Sequence, residues 1–384
     1  MPPEPRARPG HWWRIAGGFA FSIALFFVLG EIVVRALDLV DRLNVYPRDL
    51  YIATPNPDMP YRLRPGFVHE HADGRFSLRI NAKGLRGAEI PDTAEAGTTR
   101  ILILGDSVVH GHLIAEPDTF PVRLAEALPD QKRTEVINAG VSGYNTAAEL
   151  AFFENHLQGL QPDVVLLGVS LNDFSPTPVL TARGNLSQNP ALRDGLPLLT
   201  NHSDFYLLLR WLLEGGGPRP GPMLRPESTT ATPVAAPEAT EKKGRREPGK
   251  MDQWVAEKHQ NFYREPTGPG WESVQRALEG FAARAREDGF PLLVLLFPEE
   301  YQVGTTTPNL RAQEHWLALC RASGLDCLDL QPAFQEAAEK TPEPLFGDAQ
   351  HPNTLGIEVM AEAVARALEA RGLVPVGDAP NSAS

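Results

Sequence analysis

Short unbroken apolar runs recur along the chain from residue 100 onward, and helix-like segments separate them. Such runs do not alternate between polar and apolar positions, which is typical of strands covered on both faces. Strands that alternate with helices predict a parallel sheet between two helix layers. The predicted strands span residues 100–104, 134–138, 163–168, 291–297 and 325–330. The predicted helices span residues 119–127, 146–156, 271–288, 310–323 and 354–370.

The N-terminal segment from Ile15 to Val34 is apolar apart from Glu31. A helix needs about 20 such residues to cross a bilayer, so the span is expected to tilt or to continue past Glu31. We therefore predict a transmembrane anchor over residues 15–36, after a tail of residues 1–14. The alternative is a cleaved signal peptide, but no small-x-small cleavage site follows before Arg35.

Arginines flank this segment on both sides, so the positive-inside rule orients it only weakly. The free amine slightly favours a cytoplasmic N-terminus, which would place the rest of the chain on the extracytoplasmic side. The two cysteines, Cys320 and Cys327, fit either compartment. In an exported domain they could pair with each other, and the alternative is two buried thiols.

The rest of the chain divides into a linker with a small lead-in segment, a sheet domain with a long insertion, and a flexible tail. These parts are predicted at residues 37–99, 100–373 (insertion 174–265) and 374–384. Within the insertion, Asp204–Leu213 is an apolar helix candidate that either joins the core or forms a flap over the site. Residues 214–250 are rich in Gly, Pro, Thr, Glu and Lys and are predicted to be disordered.

The formal net charge of −12 argues against a nucleic-acid-binding protein, because phosphate backbones require a basic face. An acidic balance is compatible with an ordinary enzyme. The net charge therefore argues against nucleic acid as a partner, and the chemistry has to be inferred from the motifs.

Polar motifs follow four of the predicted strands, at the point where each strand ends. The first strand enters a Gly-Asp-Ser turn at Ser107, the second leads to Gly143, and the third leads to Asn172. The segment after the fifth contains Asp348 and His351. Because the carboxyl ends of parallel strands line one crevice, we expect these residues to lie close together.

These residue types match the requirements of nucleophilic catalysis. A serine hydroxyl such as that of Ser107 is a poor nucleophile until a base removes its proton, and an imidazole with a pKa of about 6.5 suits that task. Asp348 is placed to orient the His351 ring. The backbone N–H groups of Ser107 and Gly143 and the side-chain amide of Asn172 are candidate oxyanion donors.

The two histidines nearest Ser107 in sequence, His110 and His112, are interpreted as rim or supporting residues. Neighbours along a chain seldom face each other productively, so neither is the predicted base.

In these motifs the chain resembles the SGNH hydrolases, also called the GDSL esterase/lipase superfamily. The matching residues, in order, are Ser107, Gly143, Asn172, and Asp348 with His351. We match Gly143 rather than Gly140 because it lies deeper in its loop. The resemblance implies a three-layer α/β/α, flavodoxin-like fold with a parallel five-stranded sheet of order 2-1-3-4-5. It also implies that no metal or organic cofactor is used.

The function predicted from these observations is hydrolysis of an ester, an O-acetyl or short acyl group on an envelope carbohydrate or lipid. The expected partners are this substrate and the cytoplasmic membrane. An O-acyltransferase with the same residues is the alternative, favoured if the Asp204–Leu213 helix closes the site against water. A non-catalytic envelope-binding module is the third hypothesis.

Overall fold

The computed structural model describes residues 11–37, 39, 49–70, 77–181, 184, 186–187, 203–213 and 248–375. Its helices are α1 His11–Ala36, α2 Ser107–His110, α3 Phe120–Ala127, α4 Thr146–Phe152, α5 Asp204–Leu213, α6 Lys250–Phe262, α7 Pro269–Asp288, α8 Arg311–Ser323, α9 Gln331–Lys340 and α10 Thr354–Ala370. Its strands are β1 Tyr51–Ala53, β2 Tyr61–Leu63, β3 Val68–Glu70, β4 Ser77–Arg79, β5 Thr99–Gly105, β6 Thr134–Gly140, β7 Val164–Val169, β8 Val179–Leu180, β9 Leu186–Ser187, β10 Leu292–Leu296 and β11 Asp326–Asp329.

A five-stranded sheet forms the centre of the molecule, with the order β11-β10-β7-β5-β6 and every pair parallel. Numbered among themselves along the chain, these strands have the predicted order 2-1-3-4-5. Alternate residues of β5 enter different cores: Leu102 and Leu104 join one, Ile101 and Ile103 the other. Both faces are therefore apolar, which explains the unbroken runs in the sequence.

Two helix layers cover the sheet, as the strand and helix alternation predicts. On one face α4, α7 and α8 contribute Phe152, Phe281 and Trp316 to the core. On the other face α3, α9 and α10 form the second cluster, where α10 packs on both of its neighbours. The three-layer α/β/α fold is confirmed.

Helix α1 is long and apolar enough to cross a membrane, with a mean hydropathy of 2.1 over its most apolar window. At about 1.5 Å per residue it spans about 39 Å, against about 30 Å for the hydrocarbon core. Its side chains Phe19, Phe21 and Phe26 are more than half exposed, at 69%, 69% and 58%. They do not belong to the protein core and are available to lipid.

The described parts of the lead-in, residues 49–70 and 77–99, join the main core. Strands β1 and β2 form one antiparallel pair, and β3 and β4 form another. Leu50, Tyr61 and Leu78 are fully buried in the same cluster as the central sheet. This part of the predicted linker is a structural component of the domain.

Helix α5 packs against the anchor helix. Phe205 makes edge-to-face contacts with Phe26 and Phe27, with ring centroids 5.2 and 5.6 Å apart. A Cβ added to Gly30 would lie only 2.7 Å from this ring, so glycine allows the two helices to approach closely. The carboxylate of Glu31 accepts hydrogen bonds from the first backbone N–H groups of α5, at 3.0 Å. The expectation that this helix joins the core or covers the site is wrong, because the ring of Phe205 packs against the phenylalanine rings of α1.

The rest of the insertion adds one helix that the sequence did not predict. Residues 214–247 of the predicted disordered stretch lie outside the described residues, but residues 248–250 lead directly into α6. Helix α9 was also missed. Both are polar on average, with their apolar residues spread among polar ones, so no apolar run marks them in the sequence.

A disulfide joins Cys320 of α8 to Cys327 of β11, with Cα atoms 6.2 Å apart. This separation lies within the range of about 4.4–6.8 Å for disulfides. Of the two states that the sequence allowed, the structure contains the paired one.

Candidate active site

Ser107 is presented at the carboxyl end of β5, an inner strand of the sheet between β7 and β6. It is the first residue of the short helix α2, and the Asp106 side chain caps this helix by accepting from the Val108 N–H at 2.9 Å. Gly111 ends the helix with a φ of +83°. The strand-to-helix turn therefore lifts the Ser107 hydroxyl to the edge of the sheet.

Ser107, His351 and Asp348 form a continuous chain of hydrogen bonds. The Ser107 hydroxyl lies 2.8 Å from His351 Nε2, so it can donate to the ring. On the far side of the ring, Nδ1 lies 2.8 Å and 2.9 Å from the two Asp348 oxygens. The backbone N–H of His351 also donates to Asp348, at 2.8 Å. Hydroxyl, imidazole and carboxylate have the arrangement that activates a serine.

The electrostatics of this chain suit proton transfer. Burial by itself lowers the pKa of His351, but the neighbouring Asp348 carboxylate outweighs it and raises the pKa above its usual value. Burial disfavours the charged form of Asp348, yet His351 and the backbone N–H groups hold the pKa of this carboxyl well below its usual range. Asp348 is therefore ionised and His351 is a stronger base than a free imidazole.

The Ser107 hydroxyl lies in a small pocket with about 10 Å³ of room, about that of one water molecule. The pocket brings together three of the predicted residues, Ser107, Asn172 and His351. The other lining residues are Asp106, Val108, Ser170, Leu171, Phe297, Pro298, Glu299 and Gln350. Asp348 lies behind the ring of His351, where its carboxylate can orient the ring.

Gly143 lies in the loop after β6 and not among the residues that line the pocket. Its φ of +82° favours glycine, and a Cβ there would come within 2.7 Å of the Tyr61 hydroxyl. That hydroxyl donates to the Ser142 carbonyl at 2.9 Å. Gly140 has a different constraint, since a Cβ would lie 2.2 Å from the backbone N of His110. The oxyanion role of Gly143 remains a prediction.

Arg86 of the lead-in segment supports the loop that follows Ser107. Its side chain is buried, and Nη1 donates to the carbonyls of His110 and Gly111, each at 2.7 Å. Nη2 donates to the Ile114 carbonyl, also at 2.7 Å. Sequence reasoning missed this residue, because an arginine in a glycine turn normally indicates an exposed loop.

The two histidines near Ser107 occupy different positions. His110 is fully buried, with Nδ1 3.3 Å from the Gly140 carbonyl, and so is not a rim residue. The ring of His112 packs against the ring of His351, with centroids 4.6 Å apart. Burial and the charge of His351 lower the pKa of His112 to about 3. His112 is therefore a neutral support for the His351 ring.

Helix α6 holds the segment that contains Asp348 and His351. Asp252 accepts a hydrogen bond from the backbone N–H of Ala349 at 3.0 Å. His259 Nδ1 donates to Glu299 at 2.7 Å, and Gln350 donates to the same Glu299 oxygen at 3.2 Å. None of these supports is visible in the sequence, because α6 was not predicted.

Two buried carboxyl groups, Glu149 and Asp173, lie beneath the site. Burial raises the pKa of both groups, and the charge of a second carboxylate raises it further in each case. Asp173 accepts a hydrogen bond from the Thr146 hydroxyl at 2.6 Å, while both carboxyl oxygens of Glu149 are buried without a hydrogen-bond partner in the described structure. Burial and the neighbouring carboxylates therefore favour the neutral form of Glu149.

No group of three or more His, Cys, Asp or Glu side chains within the described ranges is arranged to hold a metal ion.

The family model of the GDSL-like Lipase/Acylhydrolase family matches residues 103–359, about two thirds of the chain. A search of curated proteins finds no significant match. Similar solved structures include the acetyl xylan esterase AlAXEase, with 13% identity, 70% of this chain and 99% of that chain covered, and a TM-score of 0.39. LAE5, an alpha/beta hydrolase enzyme from the metagenome of Lake Arreo, Spain, has 18% identity, coverage of 73% and 98%, and a TM-score of 0.39. TesA has 15% identity, coverage of 72% and 100%, and a TM-score of 0.39.

Proposed function

The chain belongs to the GDSL-like lipase/acylhydrolase family, and from this premise we propose that it is a membrane-tethered serine esterase of short acyl groups. The observation that supports this proposal best is the chain of hydrogen bonds from Ser107 through His351 to Asp348, with heavy atoms 2.8 Å apart at both steps. Ester hydrolysis through a serine requires these three groups in this order.

In the proposed reaction Ser107 Oγ attacks the ester carbonyl carbon while His351 Nε2 takes the hydroxyl proton. The tetrahedral intermediate then collapses, His351 returns the proton to the departing alcohol oxygen, and the acyl group stays on Ser107. A water molecule attacks next, with His351 again as the base, and the acid is released. Asp348 holds the ring in the tautomer that accepts at Nε2.

The negative charge on the intermediate needs preorganised donors. We assign these to the backbone N–H groups of Ser107 and Gly143 and to the side-chain amide of Asn172. Asn172 lines the pocket beside Ser107, which supports its assignment. Loss of one such donor is expected to raise the barrier by about 3 kcal/mol.

The pocket size supports a short acyl group. Its enclosed space is about 10 Å³, about the room for one water-sized group, and Ser107 and His351 themselves form part of its lining. A long acyl chain would need an extended apolar groove. We therefore propose an acetyl or similarly short ester, on a carbohydrate or lipid of the cell envelope that α1 places within reach.

We propose that the enzyme domain lies on the extracytoplasmic side of the membrane. The disulfide between Cys320 and Cys327 supports this side, because disulfides persist in oxidising compartments. An alkaline phosphatase fusion after residue 375 should be active in cells. Activity of a cytoplasmic reporter fused at the same position would instead indicate the opposite orientation.

The acyltransferase alternative depended on a helix that closes the site against water. In the part of the chain that the structure describes, α5 packs on α1 and contributes no residue to the lining of the Ser107 pocket. We therefore propose water as the acceptor. Product analysis with a glycan acceptor would reveal transfer directly.

The test uses the full-length protein in detergent with p-nitrophenyl esters from acetyl to dodecanoyl. Ser107→Ala is expected to lose activity and labelling by a fluorophosphonate while it stays folded. Ser323→Ala, at the end of α8 and away from the pocket, is the matched control and should keep both. A wild-type protein that is folded but neither hydrolyses an ester nor reacts with the phosphonate would favour the binding-module hypothesis instead.

A further inference from the structure

A second carboxylate, Glu299, lines the pocket that contains Ser107 and His351. It follows β10 at the same edge of the sheet, and its side chain is only 4% exposed. The hydrogen-bond chain of the proposed reaction does not include it. A buried carboxylate in a reaction pocket without a role in the proton transfers needs another explanation.

The two oxygens of Glu299 have different surroundings. Oε1 accepts from His259 Nδ1 at 2.7 Å and from Gln350 Nε2 at 3.2 Å. Oε2 is buried and has no hydrogen-bond partner within the part of the chain that the structure describes. One oxygen thus fixes the side chain, and the other is a free acceptor. A buried carboxyl oxygen costs free energy unless a hydrogen-bond donor reaches it.

From this geometry we infer that Glu299 is a specificity-determining residue that accepts a hydrogen bond from a hydroxyl on the alcohol part of the ester. The inference rests on the proposed esterase function and narrows its substrates to esters of polyhydroxylated alcohols, such as sugars or polyols. A site built to bind a hydroxyl strongly disfavours an analogue that lacks it.

Two observations indicate that the alcohol part of the ester lies near Glu299 and that the group which donates to Glu299 is uncharged. Glu299 accepts a hydrogen bond from Gln350, the residue before His351 in the chain. Because His351 protonates the departing alcohol in the proposed reaction, that alcohol lies on the same side of the site as Glu299. The charge of Glu299 also contributes to the raised pKa of His351, so the two groups are close enough to interact. A substrate ammonium at Glu299 would lie near the imidazolium that forms in the reaction and would repel it, whereas a hydroxyl would not.

The experiment compares glycerol monoacetate with propyl acetate, which have the same carbon skeleton but differ by two hydroxyls. Acetic acid release by the full-length protein in detergent is followed by pH-stat titration, and the ratio of the two kcat/KM values is the readout. In Glu299→Gln this ratio is expected to fall by about 10-fold or more, because a hydrogen bond to a charged acceptor is lost. An effect on His351 alone would change both rates equally and leave the ratio unchanged.

Glu300→Gln is the matched control, since Glu300 is equally buried but does not line the Ser107 pocket. It should keep the wild-type ratio. If Glu299→Gln does not fold, Glu299→Asp, which keeps the charge but withdraws the oxygen, should lower the ratio in the same way. A wild-type ratio near one, or an unchanged ratio in the folded Glu299 variant, would overturn the inference and leave water as the ligand of Oε2. Inactivity of the wild type toward both esters and the phosphonate would instead contradict the proposed function.

Discussion

Arg86→Met should both destabilise the protein and impair the Ser107 loop. The buried guanidinium donates three hydrogen bonds of 2.7 Å to backbone carbonyls in the turn after Ser107. Methionine keeps the apolar stem and removes every donor. The carbonyls of His110, Gly111 and Ile114 would then lose a donor in a place that water reaches poorly.

The expected loss of stability follows from these bonds. Hydrogen bonds to a charged group contribute about 1.5–3 kcal/mol each, so three of them set an upper limit near 9 kcal/mol. Methionine avoids the cost of burying a charge, which reduces the net effect. We expect a decrease of about 3–5 kcal/mol in the free energy of unfolding, against a total of about 5–15 kcal/mol for a typical domain.

Urea denaturation of the full-length protein, followed by tryptophan fluorescence, measures this change as a shift of the midpoint at constant slope. Esterase activity per folded molecule should also fall at least about 10-fold, because the turn that holds Ser107 and His112 loses its support. Arg79→Met, on the exposed face of β4, should change neither quantity. A loss below about 1 kcal/mol in Arg86→Met would refute the view that the lead-in is part of the active domain.

Three further outcomes are expected. Tyr61→Phe removes the donor to the Ser142 carbonyl, so kcat should fall several-fold with little change in KM, and an unchanged kcat would mean that Tyr61 does not position the loop of Ser142 and Gly143 for the reaction. Burial and a neighbouring carboxylate raise the pKa of Glu149, so its contribution to stability is complete at acid pH and is lost as pH rises through that pKa. Urea unfolding of Glu149→Gln should therefore show a smaller loss of stability between pH 5 and pH 9 than the wild type, and equal losses would argue against a protonated Glu149. Asp348→Asn removes a group that raises the pKa of His351, so the midpoint of the kcat/KM profile should move to lower pH while kcat falls by about 10³–10⁴-fold. A midpoint that stays in place would mean that another group controls the profile.

Local pattern was sufficient for the sheet and for most of its helices. The three inner strands β5, β7 and β10 are short apolar runs with both faces buried, so their positions could be predicted without knowledge of their neighbours. The pairing of Ser107 with His351 was also predictable, because the carboxyl ends of parallel strands converge whatever the connecting segments do. Helices α6 and α9 were missed since they are polar on average and no apolar run marks them.

The supporting contacts of the site could not be predicted in the same way. Arg86 and Tyr61 look like lead-in residues, and His259 and Glu299 look like ordinary polar residues of a helix and a loop. Their hydrogen bonds connect segments that are 24 to 81 residues apart in sequence. Such contacts depend on the path of the whole chain and have no local period.

The sequence by itself determined the layer architecture, the apolar N-terminal helix and the identity of the residues at the strand ends, because these depend on short-range patterns and on the geometry common to parallel sheets. Only the tertiary structure decided that the lead-in supports the Ser107 loop, that α5 packs on the anchor instead of over the pocket, and that Glu299 lies beside His351. The physical reason is that burial and hydrogen-bond partners belong to a place in the folded molecule, which distant segments create together.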